Sequence, residues 1–168
     1  MNIHNTGELI EYMDFETFID LRINNLEKIK KQYLNLLNEL TACPDISNDL
    51  FYGKIKQISY VGKIIIAFKN INSDINTEIE NFEIIGSGTI IIEPKIIRSG
   101  MSIGHIEDIV VKSTYRGKKI AQNILNKLKE FAKTNCCYKV ILDCDESVCP
   151  VYRANGFEAK GIQMSVYF

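Results

Sequence analysis

A chain of 168 residues suits one domain, long enough to bury about 70% of the surface its unfolded form exposes without disulfide or metal staples. Its formal net charge of -1 comes from interspersed charges of both signs, which argues against a nucleic-acid footprint or a polybasic membrane patch. No apolar run approaches the ~18 residues of a membrane span, the first residues lack a signal-peptide core, and the cysteines lack Cys-x-x-Cys spacing, so reduced thiols, no metal and a cytoplasmic location are expected.

Residues 1–20 receive no assigned element and are expected to be poorly ordered. From Arg22 to Leu40, apolar residues at Ile23, Leu26, Ile29, Tyr33, Leu37 and Leu40 keep helical spacing, and Cys43-Pro44 stops the helix. A short second helix covers about 47–59. Tyr60–Phe68 and Glu83–Ile92 are rich in β-branched residues and flank the polar, Asn-rich stretch Asn70–Asn81, which predicts an antiparallel pair joined by a long hairpin loop. A third strand covers about 105–111, with His105 read as a structural residue that has no partner.

That strand opens onto Tyr115-Arg116-Gly117-Lys118-Lys119-Ile120-Ala121 and then a helix whose Ile120, Ile124, Leu125, Leu128, Phe131 and Ala132 share one face. A strand, a basic glycine-containing turn and a helix N-terminus make a phosphate cradle, because the first helical N–H groups are unpaired and the helix dipole adds partial positive charge. Taken alone, a basic turn is more often just a solvated one; the rigid helix behind it raises the cradle reading. Further on, Tyr138–Cys144 reads as an apolar strand. Ser147 is placed to cap a helix that carries Tyr152, takes Pro150 in its first turn and ends at Gly156, and Gly161–Phe168 reads as the last strand. The whole predicts a single α+β domain over 1–168, with a mixed central sheet flanked by helices.

The residues 116–121 and the later Tyr152-Arg153-Ala154-Asn155-Gly156-Phe157 resemble the motifs of the GNAT acetyltransferase superfamily. Within it, Gly104-His105-Ile106-Glu107-Asp108-Ile109 and the stretch from Cys137 to Glu146 look like the eukaryotic glucosamine-6-phosphate N-acetyltransferases. The likeness covers roughly 84–168, with a looser match around Leu36–Thr41. It implies the GNAT acyl-CoA N-acyltransferase fold, a strand bulge that splays two strands, acetyl-CoA as co-substrate, glucosamine 6-phosphate as acceptor, and a homodimer with an apolar interface near the last strand.

The resemblance also implies roles. Ile109, Val110 and Val111 would offer backbone groups to the pantetheine arm, and Arg116, Gly117, Lys118, Lys119, Ile120, Ala121 and Gln122 would hold the pyrophosphate. Tyr152 would direct its hydroxyl at the departing sulfur, Asp143 would orient the amine and accept its proton, and Glu107 and Asp108 would approach the amine and the sugar hydroxyls. Lys95, Arg98 and Lys139 match phosphate-binding positions, and Tyr138 and Thr41 match positions lining the sugar, although Thr41 is equally a helix C-terminal residue.

Three positions depart from the family pattern: Lys119 stands at the central glycine of the cradle, where a helical φ would make it acceptable, Val148 replaces an asparagine, and Tyr167 replaces a C-terminal basic residue. A GNAT enzyme for another amine, such as a polyamine or a protein, keeps the cofactor site and changes the acceptor residues. A non-catalytic acetyl-CoA-binding module loses them, and the joint presence of Glu107, Asp108, Asp143 and Tyr152 disfavours it.

Overall fold

The computed structural model describes residues 9–71 and 81–168. In chain order the elements are β1 (Glu11–Asp14), α1 (Phe15–Asp20), α2 (Leu26–Leu37), α3 (Asn48–Val61), β2 (Gly62–Asn70), β3 (Phe82–Glu93), β4 (Ser102–Val111), α4 (Ile120–Thr134), β5 (Cys137–Leu142) and α5 (Cys149–Ala154). The strands form one sheet in the order β1-β2-β3-β4-β5, antiparallel throughout except for the parallel β4–β5 pair. The predicted β2–β3 pairing is observed, and most of the loop expected between them, 72–80, lies outside the described residues.

Each sheet face carries its own core. On one, Phe15, Phe18, Tyr33 and Phe51 from α1, α2 and α3 close over Ile66, Phe68, Phe82 and Ile84. On the other, Ile120, Ile124, Leu125, Leu128 and Ala132 of α4 pack on Ile85, Ile90 and Ile106. Fully burying each of these side chains contributes about 1.5–3 kcal/mol, so the two layers fix where both ends of β4 lie. Gly88 lets α4 come close: a Cβ there would stand 2.4 Å from Ile109 Cδ1 and 2.7 Å from Ile124 Cγ2.

Three expectations need correction. Residues 11–20 are not loose; they form β1 and α1, with Phe15, Phe18 and Ile19 fully buried and the Asp14 side chain accepting from Thr17 N at 2.9 Å. A four-residue strand and a six-residue helix are too short to leave a periodic signature. Ser147 does not cap the last helix: it lies inside a 3₁₀ turn, Glu146–Val148, and α5 starts at Cys149 without a side-chain cap. The segment 161–168 forms no strand, and its Ile162, Met164 and Tyr167 are 92%, 92% and 91% exposed. Alternating apolar residues make a strand only where a sheet edge is available to pair with them, and this chain folds no such edge onto its own tail.

Candidate functional site

The β3–β4 register slips between Ser87, opposite Val110, and Thr89, opposite Glu107, so Asp108 and Ile109 together face a single residue. Asp108 takes φ +52°, and beyond it the alternation inverts: Ile106 packs toward α4 while Val110 packs toward α1–α3. The bulge expected from the family resemblance is therefore present. β5 pairs with β4 only from Ser102–Cys137 to Ile106–Leu142, which leaves the β4 edge from Glu107 to Val111 without a strand partner on that side. Unpaired strand edges offer N–H and C=O groups to an extended amide-bearing ligand. The side chains of Ile109 and Val111 meanwhile pack against the α4 core, and Val111 O accepts from Arg116 Nε at 3.2 Å.

Directly after β4 the chain turns into α4. Gly117 has φ +80°, and Lys119, the residue before the first helical position, has φ +60° and ψ 18°. Lys119 is thus left-handed, not helical as the sequence reading required; the turn demands the conformation that a glycine adopts freely and that costs a side-chain-bearing residue about 1–2 kcal/mol. The first helical closure is Asn123 N to Lys119 O at 3.1 Å, and among the described residues no group accepts from the N–H groups of 117–122. Those donors sit at the positive end of a fifteen-residue helix. Ile120 is core and offers only its backbone, Ala121 and Gln122 are half-buried, and the Lys118 ammonium lies 4.8 Å from the Tyr115 ring centroid.

Arg116 behaves differently. Its Nη2 meets Glu39 Oε2 at 3.2 Å, and the same oxygen accepts from Ser113 N at 2.8 Å, so Glu39 fastens the end of α2 to the turn. Glu39 was not singled out in the sequence, since nothing local marks a contact across 77 positions.

The acidic residues converge through the parallel register. His105 lies opposite Ile141, which places His105 and Glu107 on the same sheet face as Ile141 and Asp143. His105 Nε2 stands 3.2 Å from Glu107 Oε1 and 3.5 Å from Asp143 Oδ2, shielded from water and aligned as a hydrogen bond with neither. The histidine expected to lie without a partner is instead inside β4, between two carboxylates. Asp143 Oδ2 also accepts from Gln163 Nε2 at 2.9 Å. Asp108 is exposed as a residue, yet partial removal of its carboxyl from water raises its pKa above the ordinary value. Its charge reaches Tyr33, whose buried hydroxyl lies 3.1 Å from Ser87 Oγ and is itself pushed up by burial.

Tyr152 is half-buried, its ring centroid 6.0 Å from that of Phe157 at 82°. Burial, then the neighbouring Cys144, raises its pKa. Among the described residues its hydroxyl has no hydrogen-bond partner, which leaves it free to donate. It lines a groove of about 660 Å³ along the outer side of β5, together with Tyr138, Lys139, Asp143, Cys144 and Cys149.

Of the predicted cations, Arg98 and Lys139 meet at Tyr138, each 5.7 Å from its ring centroid. Lys139 and Asp143 share a face four residues apart, about 13 Å at ~3.3 Å per residue, a gap that an extended lysine and a sugar phosphate can span. Lys95 instead pairs with Glu93. Thr41 is exposed just past α2, its N–H donating to Leu37 O at 3.3 Å. Among the described residues, no group of three or more His, Cys, Asp or Glu side chains could hold a metal ion, and no helix is long and apolar enough to cross a membrane.

A sequence model of the acetyltransferase (GNAT) family matches residues 63–157. The chain is 34% identical to glucosamine 6-phosphate N-acetyltransferase 1 of Dictyostelium discoideum, over 89% of this chain and 90% of that protein. It is 32% identical to the probable glucosamine 6-phosphate N-acetyltransferase 2 of Oryza sativa subsp. japonica, over 91% of each. The crystal structure of glucosamine-6-phosphate N-acetyltransferase from Arabidopsis thaliana superposes with a TM-score of 0.77 at 30% identity, covering 96% of this chain and 99% of that one. An aminoglycoside N-acetyltransferase in complex with CoA shares the fold at 15% identity and a TM-score of 0.69, with 99% of each chain covered.

Proposed function

The chain belongs to the acetyltransferase (GNAT) family, and from that premise we propose that it transfers the acetyl group of acetyl-CoA to the 2-amine of D-glucosamine 6-phosphate. The product is N-acetylglucosamine 6-phosphate, a precursor of UDP-N-acetylglucosamine, formed by direct attack in a ternary complex. The observation that carries the assignment is a pair of open backbone sites on one connected segment, the β4 edge from Glu107 without a strand partner and the N–H groups of 117–122 at the start of α4, with the Glu107–His105–Asp143 cluster beside the first.

In this reading the N–H groups of 117–122 take the pyrophosphate, with Arg116 acting as a strut to Glu39. The β4 edge at Ile109, Val110 and Val111 pairs with the pantetheine amides, and an N–H there stabilises the acetyl oxygen as it gains charge. Asp143 holds the sugar amine with Glu107 beside it, and Asp108 meets the ring hydroxyls. An amine flanked by electron-withdrawing carbons titrates near the α-amino value of about 7.7–8.0 or below, so much of it is neutral and positioning dominates. The amine nitrogen attacks the thioester carbon, its proton passes to Asp143, the C–S bond breaks, and the thiolate accepts a hydrogen bond from Tyr152. Arg98 and Lys139 hold the phosphate, joined by Lys95 on release from Glu93, while Tyr138 and Thr41 line the sugar.

The reading extends to one domain over 1–168 in the cytoplasm and to a homodimer. The exposed apolar tail, Ile162, Met164, Val166 and Phe168, together with exposed Ile96 and Ile97, supports an interface between two copies. The test is release of CoA thiol from acetyl-CoA with a panel of amines. Two charge-assisted phosphate contacts, each about 1.5–3 kcal/mol, should give at least a ~100-fold higher kcat/KM for glucosamine 6-phosphate than for glucosamine. Lys139→Met should shrink that ratio and leave acetyl-CoA affinity unchanged, whereas equal rates on the two sugars would reject the acceptor.

A further inference from the structure

Two thiols meet at the connection between β5 and α5. Cys144 follows the strand and is exposed; Cys149 opens the helix and is half-buried; their Sγ atoms are 3.6 Å apart. A disulfide needs about 2.05 Å, so roughly 1.5 Å of approach separates the two forms. The intervening residues already form a tight turn, with Val148 N donating to Asp145 O at 3.1 Å. We propose that Cys144 and Cys149 are a reversible oxidation site, which a peroxide converts to a disulfide and a dithiol reductant restores.

The chemistry balances with the peroxide as sole oxidant. The Cys144 thiolate attacks one peroxide oxygen, the O–O bond breaks, and sulfenic acid and water form; Cys149 Sγ then attacks the Cys144 sulfur, the S–O bond breaks, and a second water leaves as the S–S bond forms. Cys144 is the exposed partner and receives the peroxide, and Cys149, held within van der Waals distance, resolves it before further oxidation. Burial and the adjacent Cys149 raise the Cys144 pKa, so the thiolate is scarce at neutral pH and the reaction accelerates as pH rises.

The consequence for activity rests on the proposed acetyl transfer, because the pair is covalently flanked by the two groups that reading uses. Cys144 is bonded to Asp143, and Cys149 precedes Tyr152 by three residues on the same short helix. Drawing the sulfurs together shifts one or both by about 1 Å, and a displacement of that size at positioned groups lowers turnover by about 100-fold.

The test treats the full-length protein with hydrogen peroxide at neutral and alkaline pH, then measures intact mass, free thiols and mapped peptides, with turnover before and after dithiol reduction. Loss of two hydrogen masses, two fewer thiols and a cross-linked peptide joining Cys144 to Cys149, formed faster at alkaline pH, is expected, with turnover falling about 100-fold and recovering on reduction. Cys149→Ser should form no Cys144-containing intramolecular cross-link and lose the reversible component. Retention of all thiols, a sulfinic acid at Cys144, or the same reversible loss in Cys149→Ser would overturn the proposal. Mass and thiol counts need no acceptor, so failure of the sugar assignment is read separately from failure of this site.

Discussion

The turn before α4 makes two substitutions of opposite chemistry predictable in sign. Lys119 sits at φ +60°, so Lys119→Gly removes about 1–2 kcal/mol of left-handed strain and returns about 0.4–1 kcal/mol of extra unfolded-state entropy, a net gain near 0.5 kcal/mol. Gly117 sits at φ +80° with open space around its missing Cβ, so Gly117→Ala meets no steric clash and loses about the same amount through conformation alone. At about 2–4 °C per kcal/mol for a domain of this size, Tm should rise by ~1–2 °C in the first variant and fall by ~1–2 °C in the second. Both keep every N–H donor, so saturating acetyl-CoA, near 100 Kd, should add its full ~2.7 kcal/mol, about 5–10 °C, in each. Gly117→Pro cannot adopt the required φ and removes a donor, and that ligand-induced shift should vanish. Calorimetry with and without acetyl-CoA reads all three. A lower Tm in Lys119→Gly, or an undiminished acetyl-CoA shift in a folded Gly117→Pro protein, would refute the reasoning.

Tyr152→Phe should lower kcat by about 10- to 1,000-fold with little change in KM for acetyl-CoA, because the hydroxyl acts as charge develops on sulfur; steady-state kinetics at saturating acetyl-CoA decide it, and full turnover would return Tyr152 to packing. His105→Ala removes the imidazole between Glu107 and Asp143 and should lower kcat/KM for the amino sugar about 10-fold while acetyl-CoA binding by calorimetry holds; a loss confined to Tm would make His105 merely structural. Asp108 has a native pKa raised above 3.8, so its charged form is disfavoured in the folded state: the penalty is absent below that value, grows as pH rises through the native pKa and then stays constant. Asp108→Asn should therefore gain thermal stability over the parent as pH climbs from about 4 toward neutrality, and a gain independent of pH would contradict the shift.

Composition and local pattern carried much of this protein. The α4 face, from Ile120 to Ala132, is written at helical spacing, and the Arg116–Ala121 stretch follows a β-branched strand, so the strand, the turn and the helix behind it were legible in the sequence. The antiparallel β2–β3 pair was legible for the same reason, since both strands bury most of their residues and their sequence is correspondingly apolar. What the chain could not state locally is everything set by pairing across distance. The positive φ of Lys119 is imposed by how strand and helix must join, not by the preference of a lysine. His105 acquires its second carboxylate, Asp143, only when β5 lies parallel to β4 in the register that puts Ile141 beside it, and Glu39 reaches Arg116 only because α2 ends over the turn. The tail 161–168 makes the opposite point: its alternation encodes a strand, but a strand exists only with a partner edge, and which edge is offered is a property of the folded assembly.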